Sequence, residues 1–412
     1  MHRLSQGAPP SAACGRGSIE IQRGALLPLT PSAHPANVMS LKKRLRDKRG
    51  LASMLRFQAA TRSRREVRRR LRRLAPLMAP GRYALQWNLA RRLRHPGEAE
   101  TAMHTAFVGQ NRDDHPACRL AERLPPRTVD IAPTEHAAEE PADILLIRSY
   151  ATLLLLRDGR HIIRLFDDAE RARKLVDNGT RLAPWLRVPQ VEPFPTGLAG
   201  VHGVKESVAT GSTIRSGPHR DNVNGYRDLL RQCGHHAQVA TGAFGHPEDI
   251  ERALNWEQPD WLARVLADQG HVLVDLLAQA PMLFSHGDCH PGNVLVDADG
   301  RARIIDLERA EWMPFFFDAL YILRMQDPSC AKLRQEYFTG TFDGDLAPIW
   351  EAVGGRFDPR YRLHYLLAVS VAHSLRAQFQ GKGEREQARK LRNSSLALRP
   401  FCESLQNADT AS

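Results

Sequence analysis

No stretch of the 412 residues approaches the roughly 18 consecutive apolar residues of a membrane span. The longest apolar stretch, Ile144 to Leu156, is broken by Arg148, Ser149 and Tyr150. Cysteine is scarce and scattered: six residues, at 14, 118, 233, 289, 330 and 402, with no C-x-x-C. That excludes a paired-cysteine zinc site and a disulfide framework, and it favours a reducing compartment. An export signal is not expected, because one basic residue precedes Gln6 and the apolar run Ala25 to Leu29 is shorter than the about 7 to 15 residues of a signal core. The expected location is cytoplasmic, with a peripheral position at the inner face of a membrane as a variant. Self-similarity at a period of about 20 to 50 residues is also missing, which removes repeat architectures.

What is abundant is positive charge, with a formal net charge of +12. Between Leu41 and Arg94 about 19 Lys or Arg face two acids, Asp47 and Glu66, so the rest of the chain is mildly acidic. Within this segment Val67, Leu71, Leu74 and Met78 recur at helical spacing among arginines, which predicts a basic amphipathic helical arm over 39–94. An anionic membrane surface suits an apolar stripe beside arginine. Nucleic acid suits it less, since the aromatics there are only Phe57, Tyr83 and Trp87. Residues 1–38, rich in Pro, Ser, Ala and Gly, read as a disordered leader, and 95–140 as a linker.

From Asp143 the pattern becomes that of strands. Ile144 to Ile147, Thr152 to Leu156 and His161 to Phe166 alternate with turn signals, among them Asp158-Gly159. A helix is predicted over Asp168 to Leu182, a break at Pro189 to Pro195, and a further strand over Gly203 to Val208. Pro259 to Gln279 and Arg360 to Gln380 read as helices, with a β-rich insertion between Met282 and Asp306. The sequence therefore predicts an α+β chain of two lobes: an antiparallel sheet lobe over 141–206 and a mainly helical lobe over 207–401.

Chemistry concentrates in the insertion. Phe284-Ser-His-Gly-Asp-Cys-His-Pro-Gly-Asn293 is followed by Val294-Leu-Val, Asp297-Ala-Asp-Gly300 and Ala302-Arg-Ile-Ile-Asp306-Leu-Glu308. A two-residue loop at Asp299-Gly300 would set Asn293 directly opposite Asp306. A phosphoryl-transfer site needs a carboxylate to orient and deprotonate the acceptor hydroxyl, and oxygen ligands for Mg²⁺ on the nucleotide phosphates. Asp288 suits the first task; Asn293 and Asp306 suit the second. His286 and His290 are placed to brace the loop, and His286 is counted with Asp288 in the catalytic set.

The string His286-Gly-Asp288-x-His290-Pro-Gly-Asn293, with Ile305-Asp306-x-Glu308 after it, resembles the aminoglycoside phosphotransferase and choline kinase family, and is similar to the H-x-D-x-x-x-x-N loop of protein kinases. The resemblance covers about 143–401. It implies a bilobal kinase-like fold, ATP and Mg²⁺ as cofactors, Asp288 as the base, and Asn293 and Asp306 as metal ligands. It also places Glu308 near the metal and Asp318 as a buttress of the loop. Arg164 stands where the family has a phosphate-contacting cation, with Glu170 or Asp177 as its helix partner. The loop Arg148-Ser-Tyr-Ala-Thr152 lacks the usual glycine, so the hydroxyls of Ser149 and Thr152 are offered to the phosphates in its place. Glu206 and Val208 lie on the strand that would offer backbone groups to adenine. The acceptor implied is a hydroxyl of a small molecule or of an envelope glycolipid, since Ile305-Asp-Leu-Glu-Arg-Ala310 is also similar to lipopolysaccharide core kinases; a protein kinase, or a degenerate module that binds nucleotide without transfer, is the alternative.

Overall fold

The computed structural model describes residues 62–86, 88–93, 127–134, 138–148, 151–376 and 381–409. All of them belong to one unit, Arg56–Ser412. The leader expected over 1–38, the first part of the arm, most of the linker and Ser149 lie outside the described residues.

The first described element, helix α1 (62–73), buries Val67 and Leu71, with Leu74 buried just after it, and leaves Arg65, Arg68 and Arg72 exposed. Its apolar stripe packs on a sheet rather than facing an open surface, sharing a core with Tyr83, Leu145, Leu154, Leu156, Ile163 and Leu165. Insertion of that stripe into a lipid surface is therefore not open to this helix. The chain does not stay helical beyond it. Strands β1 (Gly81–Gln86), β2 (Leu89–Arg92) and β3 (Arg127–Ile131) follow, two inside the expected arm and one inside the expected linker. Alternation in Tyr83, Leu85 and Leu89, Ala90 is brief and lies among arginines, which is why helical spacing dominated the reading.

Strands β4 (Ala142–Ile147), β5 (Thr152–Leu156), β6 (His161–Phe166), β7 (Val191–Phe194) and β8 (His202–Ser207) complete an eight-stranded antiparallel sheet in the order β3-β1-β2-β4-β5-β6-β8-β7. Where Pro189 to Pro195 was expected to break the chain, β7 forms with Pro193 inside it. It occupies the sheet edge, where a residue without an N–H is tolerated. Gly159 turns the β5–β6 hairpin at φ +69°. Helix α2 (Ala169–Leu182) starts at Asp168, whose carboxylate accepts the Glu170 N–H at 2.9 Å.

The rest is mainly helical: α3 (His219–Ala237), α4 (Pro247–Leu254), α5 (Asp260–Ala278), α6 (Phe317–Tyr321), α7 (Pro328–Phe338), α8 (Asp343–Glu351), α9 (Arg362–Ser374), α10 (Glu384–Ser395) and α11 (Arg399–Asp409). Nearly every side chain of α9 is buried, and Phe315, Phe316, Trp350, Phe357 and Tyr365 interlock beside it. No helix among the described residues is long and apolar enough to cross a membrane. Within this lobe, β10 (Met282–Ser285) pairs with β13 (Glu311–Pro314), and β11 (Val294–Val296) pairs with β12 (Ala302–Ile304) and with the short β9 (Ser212–Thr213). These small ladders carry the loop 286–293 and the turn 305–309 to the same edge of the helical lobe, facing the sheet.

Candidate active site

A cleft of about 770 Å³ separates the lobes. Sheet parity decides which residues reach it. Leu153 and Leu155 of β5 and Ile162 and Arg164 of β6 line it, while Leu154, Leu156, Ile163 and Leu165 point to α1. Thr152 shares the α1 face. Its hydroxyl accepts from Arg70 Nη1 at 2.8 Å, so it is turned away from any phosphate in the cleft, contrary to expectation. Thr152→Val should accordingly leave the nucleotide KM within about twofold, with a stability loss near 1 kcal/mol for the missing hydrogen bond. Steady-state kinetics and thermal melting check this.

Arg164 is buried, and its partner is not on α2. Glu170 is exposed and pairs with Arg173 at 2.6 Å, and Asp177 is exposed as well. Arg164 instead donates from Nε to Glu206 Oε1 at 2.6 Å and from Nη2 to Glu206 Oε2 at 3.3 Å, across the β6–β8 pair. A side chain at the cleft face of one strand meets a side chain on the neighbouring strand sooner than one on a helix behind it. Its remaining nitrogen, Nη1, reaches Asp306 Oδ1 at 3.2 Å and also bonds Glu308. Glu206 is thus an ion-pair partner by its side chain. Val208 N–H is already bonded to Arg160 O at 2.7 Å, so N–H donors for a base have to come from residues after it; Ala209 to Gly211 line the cleft.

Loop 286–293 is fixed from several sides. Asp318, at the start of α6, accepts the His286 N–H at 2.6 Å and the Gly287 N–H at 2.8 Å. Gly287 has φ +78°, and a Cβ there would meet Arg309 O at 2.7 Å, so only glycine fits the turn. The wholly buried His286 accepts the Asp288 N–H at Nδ1 (3.2 Å), which leaves Nε2 to donate to Ile305 O (3.0 Å). Both ring nitrogens are consumed in joining the loop to the β12 turn, and the ring holds the loop's shape without touching the cleft. Arg376 bonds Gly287 O and the Glu311 carboxylate, and donates to Arg309 O at 2.6 Å.

Asp288 is 8% exposed at the floor of the cleft. Its Oδ1 accepts from the Tyr321 hydroxyl at 2.9 Å, and its Oδ2 lies 3.6 Å from Arg309 Nε. Burial pushes the Tyr321 hydroxyl up to about 12, so it stays a protonated donor at any working pH. Tyr321 follows Asp318 by three residues on α6, a spacing that puts both on the face towards the loop; Tyr321, Arg309 and Arg376 carried no expected role. His290 N–H bonds Asp288 O, and burial first of all lowers the imidazole pKa.

The β11–β12 hairpin differs from the expected register by one residue. Val294 pairs with Ile304 and Val296 with Ala302, because the loop runs through Asp297, whose carboxylate accepts the N–H groups of Asp299 and Arg301. Asn293 therefore stands opposite Ile305, its backbone carbonyl accepting the Ile305 N–H at 2.9 Å. Strand alternation alone would send Asp306 to the other face. Its left-handed backbone, φ +69° and ψ 66°, turns it back into the cleft.

Asn293 Nδ2 donates to Asp288 O at 3.0 Å, which reserves Oδ1 as an acceptor. Glu308, in the turn after Asp306, has its carboxyl raised chiefly by burial and also by Asp306, against the lowering effect of Arg164. Glu206, Asp306 and Glu308 thus crowd a single guanidinium. Crowded hard oxygen donors are a fit for a divalent cation such as Mg²⁺, which Asn293, Asp306 and Glu308 would hold. Among the described residues a second group, His286, Cys289 and Asp318, brings metal-type donors close together, but His286 and Asp318 are occupied by the loop hydrogen bonds above.

A sheet lobe and a helical lobe closing on a cleft floored by an aspartate-bearing loop define a kinase-like phosphotransferase architecture. The chain belongs to the phosphotransferase enzyme family, APH, whose profile matches residues 106–355. No curated protein sequence matches it. Solved structures that it is similar to include the aminoglycoside phosphotransferase APH(3'')-Id from Streptomyces rimosus ATCC10970 in complex with ADP and streptomycin, at 15% identity and a TM-score of 0.37, covering 54% of this chain and 90% of that one. The macrolide 2'-phosphotransferase MphH from Brachybacterium faecium is 17% identical, with a TM-score of 0.40 over 60% of this chain and 89% of its own. Amicoumacin kinase hAmiN, in complex with AMP-PNP, Ca²⁺ and Ami, is 14% identical, with a TM-score of 0.37 over 61% and 86%.

Proposed function

We propose that this chain transfers the γ-phosphoryl group of ATP to a hydroxyl of a small molecule, with Asp288 as the general base. The observation that carries the reading is the state of Asp288: a carboxylate lining the cleft, fixed through Oδ1 by Tyr321 and through its backbone by Asn293, with Oδ2 3.6 Å from the exposed Arg309 and, among the described residues, in no hydrogen bond. Such a group orients a hydroxyl and takes its proton as the new bond forms. Asn293, Asp306 and Glu308 are assigned to Mg²⁺, which when bound neutralises charge on the phosphates. Arg164 is assigned to the nucleotide phosphates, its fork held by Glu206. An envelope glycolipid acceptor is a narrower form of the same reading.

The direct test incubates the purified chain with Mg-ATP and a broad panel of hydroxylated acceptors and detects phosphorylated products by mass spectrometry. Transfer to at least one acceptor is expected; nucleotide binding with no transfer would instead indicate a binding module. Arg164→Ala should raise the ATP KM about tenfold and leave the acceptor KM near its starting value. The opposite split would place Arg164 with the acceptor.

A further inference from the structure

The charge in the cleft is divided. At one end three carboxylates, Glu206, Asp306 and Glu308, surround Arg164. Beside Asp288 the charges are even, and two exposed arginines supply the positive ones. Arg309 lies 3.6 Å from Asp288 Oδ2 and is 52% exposed, and among the described residues Asp288 is its ion-pair partner. Arg215, also lining the cleft next to Gly292, is 55% exposed and pairs with Asp327 at 3.0 Å. The Arg309 backbone is pinned through its carbonyl by the buried Arg376, while its half-exposed side chain lines the cleft. A general base needs a lone pair for the incoming hydroxyl. Tyr321 takes one lone pair of Oδ1, and Arg309 at 3.6 Å forms an ion pair rather than a hydrogen bond, so the carboxylate keeps lone pairs for a hydroxyl and Arg309 keeps donors for a second anion. A neutral acceptor leaves the charge of Arg309 unmatched, and a polycationic one meets two arginines lining the cleft.

Resting on the reading of Asp288 as the base, we propose that the acceptor carries its own anionic group, a carboxylate or a phosphate monoester, near the hydroxyl that is phosphorylated, and that Arg309 binds this group. On binding, Arg309 donates to the acceptor's anion and holds the hydroxyl beside Asp288. The acceptor oxygen then bonds to the γ-phosphorus as the bridging P–O bond to ADP breaks, and its proton passes to Asp288 and on to solvent. Arg309 is thereby the specificity residue.

The test uses the full chain with Mg-ATP and three acceptor sets of matched size: sugar acids, sugar phosphates, and neutral sugars with aminocyclitols. Turnover confined to, or at least tenfold better with, one of the two anionic sets is expected, and the two anionic arms distinguish carboxylate from phosphate. With the best acceptor, Arg309→Gln should raise the acceptor KM tenfold or more and leave Mg-ATP affinity within twofold by calorimetry; Arg309→Lys should recover part of the loss. Preference for neutral or cationic acceptors, or an unchanged acceptor KM in Arg309→Gln, overturns the proposal and leaves the phosphotransferase reading standing. Binding of Mg-ATP without transfer to any set overturns both.

Discussion

Asp288→Asn should lose turnover by roughly 10²-fold or more while Mg-ATP binds almost as before. The substitution keeps the shape of the side chain, and the contacts that fix the loop do not use the carboxylate. Asp288 N–H goes to His286, and Asp288 O accepts from His290 N–H and Asn293 Nδ2. Tyr321 can still donate to the amide oxygen. What disappears is the capacity to accept a proton, together with the negative charge that Arg309 and a partly deprotonated acceptor both feel. The measurements are kcat with the acceptor found in the screen and calorimetric Mg-ATP affinity. Near-wild-type turnover would remove Asp288 from the catalytic role.

Asp306→Asn is expected to fail differently, weakening Mg-ATP binding about tenfold or more and lowering turnover by about 10² or more. Asparagine is the informative replacement because, among non-glycine residues, it best tolerates the left-handed backbone at φ +69°, so the turn into Leu307–Arg309 is preserved and only charge changes. Alanine would mix the loss of a ligand with backbone strain. A neutral amide offers one carbonyl oxygen where the carboxylate offered two charged ones, and Arg164 then shifts its Nη1 towards Glu308, reducing that ligand as well. Raising Mg²⁺ should restore part of the activity in Asp306→Asn and none in Asp288→Asn. Equal responses of the two variants would contradict their separate assignments.

The parts of the fold with clean periodicity were legible: β4, β5, β6, α2 and β8, the helical lobe, and the insertion holding the loop. Strands β1 to β3 were not, since short alternating segments dispersed through an arginine-rich stretch and a proline-rich one carry little pattern of their own, and apart from the β1–β2 hairpin their pairing partners lie far along the chain. At the site, the motif and its spacing gave Asp288, Asn293 and Asp306 and the family resemblance gave Glu308, and all four line one cleft. The misread residues all depend on facts a motif does not contain. Thr152 turned on sheet parity, Glu170 on the helix face, and the Asn293 partner on whether the hairpin loop includes Asp297. Glu206 was placed for its backbone, yet its carboxylate is what holds Arg164. Conversely, the spacing of Asp318 and Tyr321 on α6 was available in the sequence and was not used for Tyr321.

The packing of α1 against the sheet has a practical consequence for where the chain can be cut. A fragment beginning after residue 94 would keep every residue of the cleft, and would look like a sensible minimal enzyme. It would also strip α1, β1 and β2 from the lobe, leaving Leu145, Leu154, Leu156, Ile163 and Leu165 bare and β4 as a new open edge. Such a fragment should associate through that edge and come out of solution, so the arginine-rich helix, far from being a detachable appendage, acts as the lid on the back of the nucleotide-facing sheet.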